Sequence, residues 1–208
     1  MATPMTRAEK AHRTRKRMLD AAAELFTEHG WAGTTVEDIA RSAGVGVQTV
    51  YFTFGTKRAV LKELLDTVIA GDFDPVATLE RPWAHEVVDS PDPAAQLALQ
   101  AAGARRVLQR ATPVLEVVRG AAGSDPELAA LWQANQEQRH AVQLRFSEAL
   151  MSKTGGTLRG GHDAASAADI AFAVLGPETF GLLVTGRGWT PDRWERWAAD
   201  ALARQLLP

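Results

Sequence analysis

Residues 34–57 read TTVEDIARSAGVGVQTVYFTFGTK, and this stretch decides the fold. Thr35 followed three positions later by Asp38 is typical of a helix start, and apolar residues then recur at helical spacing until Gly44 ends the helix. After a short bridge a second helix is predicted over Val47–Phe54. Two short helices joined by a glycine-containing turn have the spacing of a helix-turn-helix.

The second of these helices divides its side chains between two faces. Val50 and Phe54 are four residues apart and point together toward a core. The opposite face presents a set of polar and aromatic side chains: Val47, Gln48, Thr49, Tyr51, Phe52 and Thr53. Gln can read the edge of adenine, Thr and Phe can contact a thymine methyl group, and a Tyr hydroxyl can reach a phosphate. The pattern therefore favours insertion into a groove of DNA.

Helices on both sides complete an N-terminal domain. Apolar spacing predicts a first helix over 14–29, packed behind the pair, and a fourth over 56–70. Lys57, in the first turn of the fourth helix, is unfavourable there on dipole grounds, and a bound phosphate would compensate for it. We expect residues 1–55 to form the DNA-binding domain and 56–208 the C-terminal domain, with 56–71 as the connecting helix.

The rest of the chain is also predicted to be helical. Four prolines between 72 and 93 indicate an irregular connection with a short turn of helix near 83–88. Helices are then expected at 94–110, 113–121, 126–152, 164–185 and 191–207. The fold class is therefore all-α, with about nine helices: a three-helix helix-turn-helix domain followed by a helical ligand-binding and dimerisation domain.

Composition and charge exclude several classes of protein. The 208 residues include no cysteine, so disulfides, thiolate metal sites and a cysteine nucleophile are excluded, and a cytoplasmic location is expected. Neither a secretory signal nor a membrane span is expected, because Pro177 and Glu178 interrupt the most apolar stretch. The net charge is −2, but residues 1–20 are strongly basic, which suits a nucleic-acid partner.

The sequence pattern from Leu19 to Leu61 resembles the DNA-binding domain of the TetR (tetracycline-repressor-like) family of bacterial regulators. The matching pieces include Leu25-Phe26, Ala43-Gly44-Val45 and Thr49-Val50-Tyr51-Phe52-Thr53-Phe54. Gly46 departs from the usual Ser or Thr cap, and Gln48 stands where many members have glycine, so no relative's operator sequence can be assumed.

The resemblance implies a function and a set of contacts. It implies a homodimeric transcriptional repressor that binds a palindromic operator in double-stranded DNA and is released by a small-molecule effector. Phosphate contacts are implied for Thr35, Thr49, Tyr51 and Lys57. Base contacts are implied for Val47, Gln48, Phe52 and Thr53. The last two long helices of each subunit would form a four-helix bundle between subunits.

The C-terminal helices offer candidates for the effector site. On the helix predicted over 126–152, the apolar stripe that includes Trp132 has Asn135 and Arg139 at its centre, and Glu178 lies in another apolar helix. Buried polar groups need partners. A ligand could supply them, and so could neighbouring side chains. Trp132, Asn135, Arg139 and Glu178 are the predicted effector-binding residues.

Apolar residues on all faces of the helix near 170–185 require burial on two sides, which a partner chain would supply.

The sequence also bears on two alternative classes of protein. An all-α enzyme is disfavoured, since the five histidines are scattered and no metalloprotease or nucleophile-elbow motif occurs. No cofactor or metal is expected. A helix-turn-helix regulator that is controlled by a protein partner, or that has no effector, stays open.

Overall fold

The computed structural model describes residues 5–208, in which every regular element is a helix and no strand is present. This confirms the all-α fold class, and nine of the helices have eight or more residues. The helices are α1 (Arg7–His29), α2 (Val36–Ala43), α3 (Val47–Phe54), α4 (Lys57–Ala70), α5 (Pro82–Asp89), α6 (Pro93–Ala122), α7 (Pro126–Lys153), α8 (Ala164–Val174), α9 (Pro177–Phe180) and α10 (Pro191–Leu206).

The chain forms two compact units and crosses from one unit to the other three times. The N-terminal unit comprises residues up to 68 together with 113–131, and the C-terminal unit comprises 69–112 and 132–208. The N-terminal unit therefore contains the predicted DNA-binding domain and adds most of α4 and a later segment of the chain. The predicted boundary after Gly55 separates DNA-binding residues from residues expected to bind the effector and form the dimer, and it stays a prediction.

The core of the N-terminal unit is built from one face of each of its helices. Phe26 of α1, Ile39 of α2 and Val50 of α3 are almost completely buried, as are the α4 residues Val60 and Leu61. The later segment contributes further buried residues, namely Val114, Leu115, Val118 and Leu128. Full burial of an aliphatic or aromatic side chain contributes roughly 1.5–3 kcal/mol, so this core holds α3 firmly in place.

Helix α1 begins earlier than predicted. It starts at Arg7 rather than near Thr14, because Thr6 and Glu9 form a capping box. The Thr6 hydroxyl accepts a hydrogen bond from the Glu9 backbone N–H at 3.2 Å, and the Glu9 carboxylate accepts one from the Thr6 N–H at 2.7 Å. These bonds satisfy donors that a helix start otherwise leaves unpaired, so the basic segment is helical.

The predicted helix boundaries are wrong in two places. Helix α6 runs unbroken through Pro113, which was expected to start a new helix. The proline ring is exposed while residues on either side of it are buried, and this burial offsets the lost hydrogen bond. The helix predicted over 164–185 is instead interrupted at Gly176, where the backbone is extended ahead of Pro177, and α9 continues into a π turn over Gly181–Thr185.

The C-terminal unit has its own core. It is formed chiefly by α6, α8 and α10, with Phe180 packed edge-on against Trp194 at a ring-centroid distance of 5.0 Å. By length and mean hydropathy of 1.5, the stretch Ala164–Gly186 could cross a membrane. Several of its residues, including Ala167, Ala171 and Leu175, belong to this core, as in the central helix of a globular domain.

Candidate nucleic-acid interface

Helix α2, which leads into the turn ahead of α3, is fixed by capping groups at both of its ends. The Thr35 hydroxyl accepts from the Asp38 N–H at 3.1 Å and Asp38 accepts from the Thr35 N–H at 3.2 Å, so the predicted cap is present as a capping box. Hydrogen bonds from Thr35 lower the pKa of Asp38. Gly44 ends α2 in the left-handed conformation, with φ of 64°, which glycine adopts without steric cost.

The side chains of α3 are divided as the sequence predicts. Val50 is 1% exposed, whereas Phe52 is 95% exposed and Tyr51 42% exposed. Phe54 is half-buried, and the Arg15 guanidinium lies over its ring at 5.1 Å. Gln48 and Thr49 are exposed, and Val47 and Thr53 are partly exposed. The outward face of α3 is thus a continuous polar and aromatic surface whose backbone is anchored from behind.

Lys57 has internal partners that the sequence did not reveal. Its ammonium donates to the backbone carbonyls of Trp31 and Thr34, both at 2.8 Å, and lies 3.9 Å from the Trp31 ring centroid. Burial lowers the pKa of Lys57, and neighbouring Arg58 lowers it further. Two carbonyls and an aromatic ring therefore already compensate this cation within the protein, and the expected phosphate contact of Lys57 stays a prediction.

The basic N-terminal segment is likewise partly engaged within the protein. Arg15 is paired with Glu63, and the Lys16 ammonium is 2.7 Å from Asp20. Arg17 donates to the carbonyls of Ala43 and Gly44, the latter at 3.1 Å. Sequence analysis missed this role of Arg17, which satisfies the carboxyl end of α2 and ties α1 to the turn ahead of α3.

An ion pair that the sequence did not predict links α4 to the start of α7. The Arg58 guanidinium donates to both oxygens of Asp125, at 3.1 and 2.9 Å, and lies 3.4 Å from Glu127. Burial would raise the pKa of Asp125, but hydrogen bonds from Arg58 and from the backbone of Leu128 outweigh it and lower that pKa. Asp125 thus serves both the start of α7 and the first turn of α4.

Three of the four predicted effector residues occupy one face of α7. Asn135 is 5% exposed, and Arg139 follows one turn later with its guanidinium 4.6 Å above the Phe172 ring of α8. Trp132 lies one turn before Asn135 and is half-buried. Glu178 is exposed, and its charge acts on Arg139. The structure therefore brings Arg139 and Glu178 into electrostatic range of each other and shows Asn135 buried.

Comparisons with known proteins fit this geometry. Residues 18–64 match the family model described as bacterial regulatory proteins, tetR family. The HTH-type transcriptional regulator SrpR of Pseudomonas putida is 39% identical over 84 residues, which is 39% of each chain. The regulator TtgW, also of Pseudomonas putida, is 39% identical over 84 residues, 39% of this chain and 63% of that one. The chain thus spans less than two thirds of the length of these relatives.

Solved structures extend the likeness to the whole fold. The crystal structure of NalD, the secondary repressor of the MexAB-OprM multidrug efflux pump in Pseudomonas aeruginosa, superposes with a TM-score of 0.71. The match covers 96% of this chain and 98% of that chain at 24% sequence identity, and it supports the fold alone.

Fold and site together define a helix-turn-helix protein with an all-helical C-terminal body. Its N-terminal domain belongs to the tetR family of bacterial regulatory proteins. The matched relatives are named as regulators, in agreement with the expectation that the chain is not an enzyme. Within residues 5–208, no group of three or more His, Cys, Asp or Glu side chains could hold a metal ion.

Proposed function

We propose that the chain is a DNA-binding transcriptional repressor, whose homodimer binds a palindromic operator and is released by a small molecule. The observation that carries the proposal is the exposed face of α3. Phe52 is 95% exposed beside Tyr51 and Gln48, while Val50 holds the helix from behind. Exposed aromatic surface of this kind marks an interaction site, and a helix fits the major groove.

Two sets of residues divide the work of binding. Gln48 and Phe52, with Val47 and Thr53, face base edges and select the sequence. A second set contacts phosphates and positions the helix: Thr35, Thr49, Tyr51 and Lys57. Thr35 lies at the amino end of α2, where backbone N–H groups and the helix dipole favour an anion. The Lys57 ammonium has a third N–H beyond the two that it donates to carbonyls, and a phosphate would accept from it.

The homodimer is supported by apolar surface in the C-terminal unit. Leu182, in the π turn, is 64% exposed, and its neighbours Leu183 and Val184 are only half-buried. Trp189 and Trp197 are half-buried as well. A two-fold interface across this surface would present two copies of α3 to half-sites about 34–36 Å apart or a multiple of that spacing.

Release by an effector is supported by the polar groups of α7. Asn135 is buried in the C-terminal unit, and Arg139 lies over the Phe172 ring. Trp132 is one turn before Asn135 on the same helix, and the charge of Glu178 acts on Arg139. An effector that prefers one of two arrangements by ~1–3 kcal/mol changes operator affinity 5- to 150-fold. NalD, which shares this fold, is a repressor, in agreement with the proposal.

The test is selection of bound duplexes from a random pool, followed by footprinting with the full-length protein. We expect a palindromic site with two equivalent half-sites. Phe52→Ala should reduce specific affinity by tenfold or more, since full burial of a Phe side chain contributes roughly 1.5–3 kcal/mol. Val76→Ala is the matched control, because Val76 is an exposed apolar residue in the C-terminal unit. Unselective binding, or equal affinity of Phe52→Ala and wild type, would refute the proposal.

A further inference from the structure

Four buried side-chain polar atoms in residues 5–208 have no hydrogen-bond partner in the protein: Thr112 Oγ1, Asn135 Oδ1, Arg139 Nη1 and Trp194 Nε1. All four belong to the C-terminal unit. Buried polar groups in folded proteins are nearly always satisfied, so each exception needs an explanation. Two of the four, on Asn135 and Arg139, are one helical turn apart on the same face of α7.

Arg139 is the most demanding of these groups because it carries a charge. Its guanidinium stacks on Phe172, and within the described part of the chain it makes no ion pair within 4.0 Å. Burial lowers the pKa of Arg139, which Glu178 opposes from a longer distance. Glu178 is exposed to solvent, so its charge is screened and does not replace a direct partner.

Other partly buried arginines in this unit are treated differently. Arg81 has its guanidinium 2.7 Å from Asp72, and Arg105 is paired directly with Glu195. The fold thus supplies a carboxylate to each of these cations and supplies none to Arg139. The other titratable groups beside Phe172 are also engaged, since His140 lies 2.8 Å from Asp169 and packs edge-on against the same ring.

We propose that Arg139, Asn135 and Phe172 bind the carboxylate of a small organic acid with an apolar ring or chain. This assignment rests on the proposed function and names the chemical class of the effector. A guanidinium binds a carboxylate through two parallel N–H donors, a strong and directional contact. The unpaired Oδ1 of Asn135 is an acceptor and does not bond a carboxylate, so the Asn135 contact comes from its Nδ2 amide, which can donate. Phe172 provides apolar surface. The ligand carboxylate thereby pairs with Arg139, which has no direct carboxylate partner in the described part of the protein.

The first test measures thermal unfolding of the full-length protein with matched probes: 3-phenylpropionate, its amide and its amine, and octanoate with the corresponding amide and amine. Only the carboxylates should stabilise wild type, by about 3–6 °C at ten times their Kd. Arg139→Gln should reduce affinity for them at least tenfold. Arg145→Gln is the matched control, because Arg145 is exposed on the same helix and lies 3.7 Å from Glu148.

The second test needs no ligand. Because wild type keeps a partly buried cation without a direct carboxylate partner, Arg139→Met should melt at or above the wild-type temperature in the absence of any probe. A melting temperature several degrees below wild type would show that Arg139 is a structural residue and would overturn the proposal.

The outcomes separate the ligand class from the proposed function. If amides or amines stabilise as well as carboxylates, or if no probe stabilises the protein, the carboxylate assignment is wrong. Release of operator DNA by a neutral or cationic compound would also refute it, while leaving the repressor proposal intact. Loss of operator binding in wild type itself would instead refute the proposed function.

Discussion

Lys57→Met should lower the melting temperature of the protein, although the side chain lies at the edge of the predicted DNA surface. The substitution removes a cation that donates to two carbonyls at 2.8 Å. Thr34 is completely buried, so water cannot replace the lost donor there, and an unsatisfied buried acceptor costs ~1–3 kcal/mol. Trp31 is only half-buried, so its carbonyl can be hydrated and adds little.

The expected loss is therefore about 2 kcal/mol. For a chain of this size, 1 kcal/mol shifts the melting temperature by about 2–4 °C, so a decrease of roughly 4–8 °C is expected. Lys62→Met is the control, because Lys62 lies on the same helix, is exposed and pairs only with Asp66. A surface change of that kind stays within about 0.5 kcal/mol of wild type. Differential scanning calorimetry measures both variants.

Operator binding by the same variant separates structural from phosphate-binding roles. Each phosphate contact contributes about 0.9 to the slope of log affinity against log salt, so a dimer that loses two should show a slope reduced by roughly 1.8. An unchanged slope with reduced stability would assign Lys57 to structure alone. If Lys57→Met has the wild-type melting temperature and the wild-type salt slope, both the structural role and the phosphate contact of Lys57 are refuted.

Three further predictions concern other parts of the chain. Gln48→Ala should change the bases preferred at one position of each half-site, as measured by selection from random duplexes, and an unchanged consensus would contradict base reading by Gln48. Leu182→Asp should yield a monomer in sedimentation at micromolar concentration; a dimer like that of wild type would place the interface elsewhere. Arg81 lowers the pKa of Asp72 to about 2, so this stabilisation is complete above the usual value of 3.8 and lost as pH falls toward 2. Arg81→Met should therefore weaken the pH dependence of urea unfolding in that range, and parallel profiles would contradict it.

The helix-turn-helix was predictable because its signals are local. Helical periodicity alone separates Val50 from Phe52, and the Thr35 cap and the Gly44 stop act within one turn of their own positions. The fold class followed from the same kind of evidence. Pro113 led to a wrong helix boundary because the hydrogen bond that a proline removes from a helix can be recognised locally in the sequence. The burial that outweighs this loss depends on the assembled core.

Long-range partners could not be read from the chain. Asp125 is 67 positions from Arg58, and Glu63 is 48 positions from Arg15. Nothing in the spacing of such residues distinguishes a partly buried ion pair from two solvated charges. For the same reason the sequence indicates that Lys57 needs a partner, but it does not identify the carbonyls of Trp31 and Thr34 as that partner.

The division of the N-terminal unit between two stretches of chain has a consequence for its synthesis. The stretch 113–131 completes a unit whose other part ends at residue 68, so 63 residues must be translated before the last piece arrives. At 5–20 residues per second this takes about 3–13 seconds. During that time Arg58 lacks its carboxylate partner Asp125, and a nascent chain should stay sensitive to protease. A fragment ending at residue 71 should share that defect, so a stable isolated DNA-binding domain would need 113–131 joined back to it.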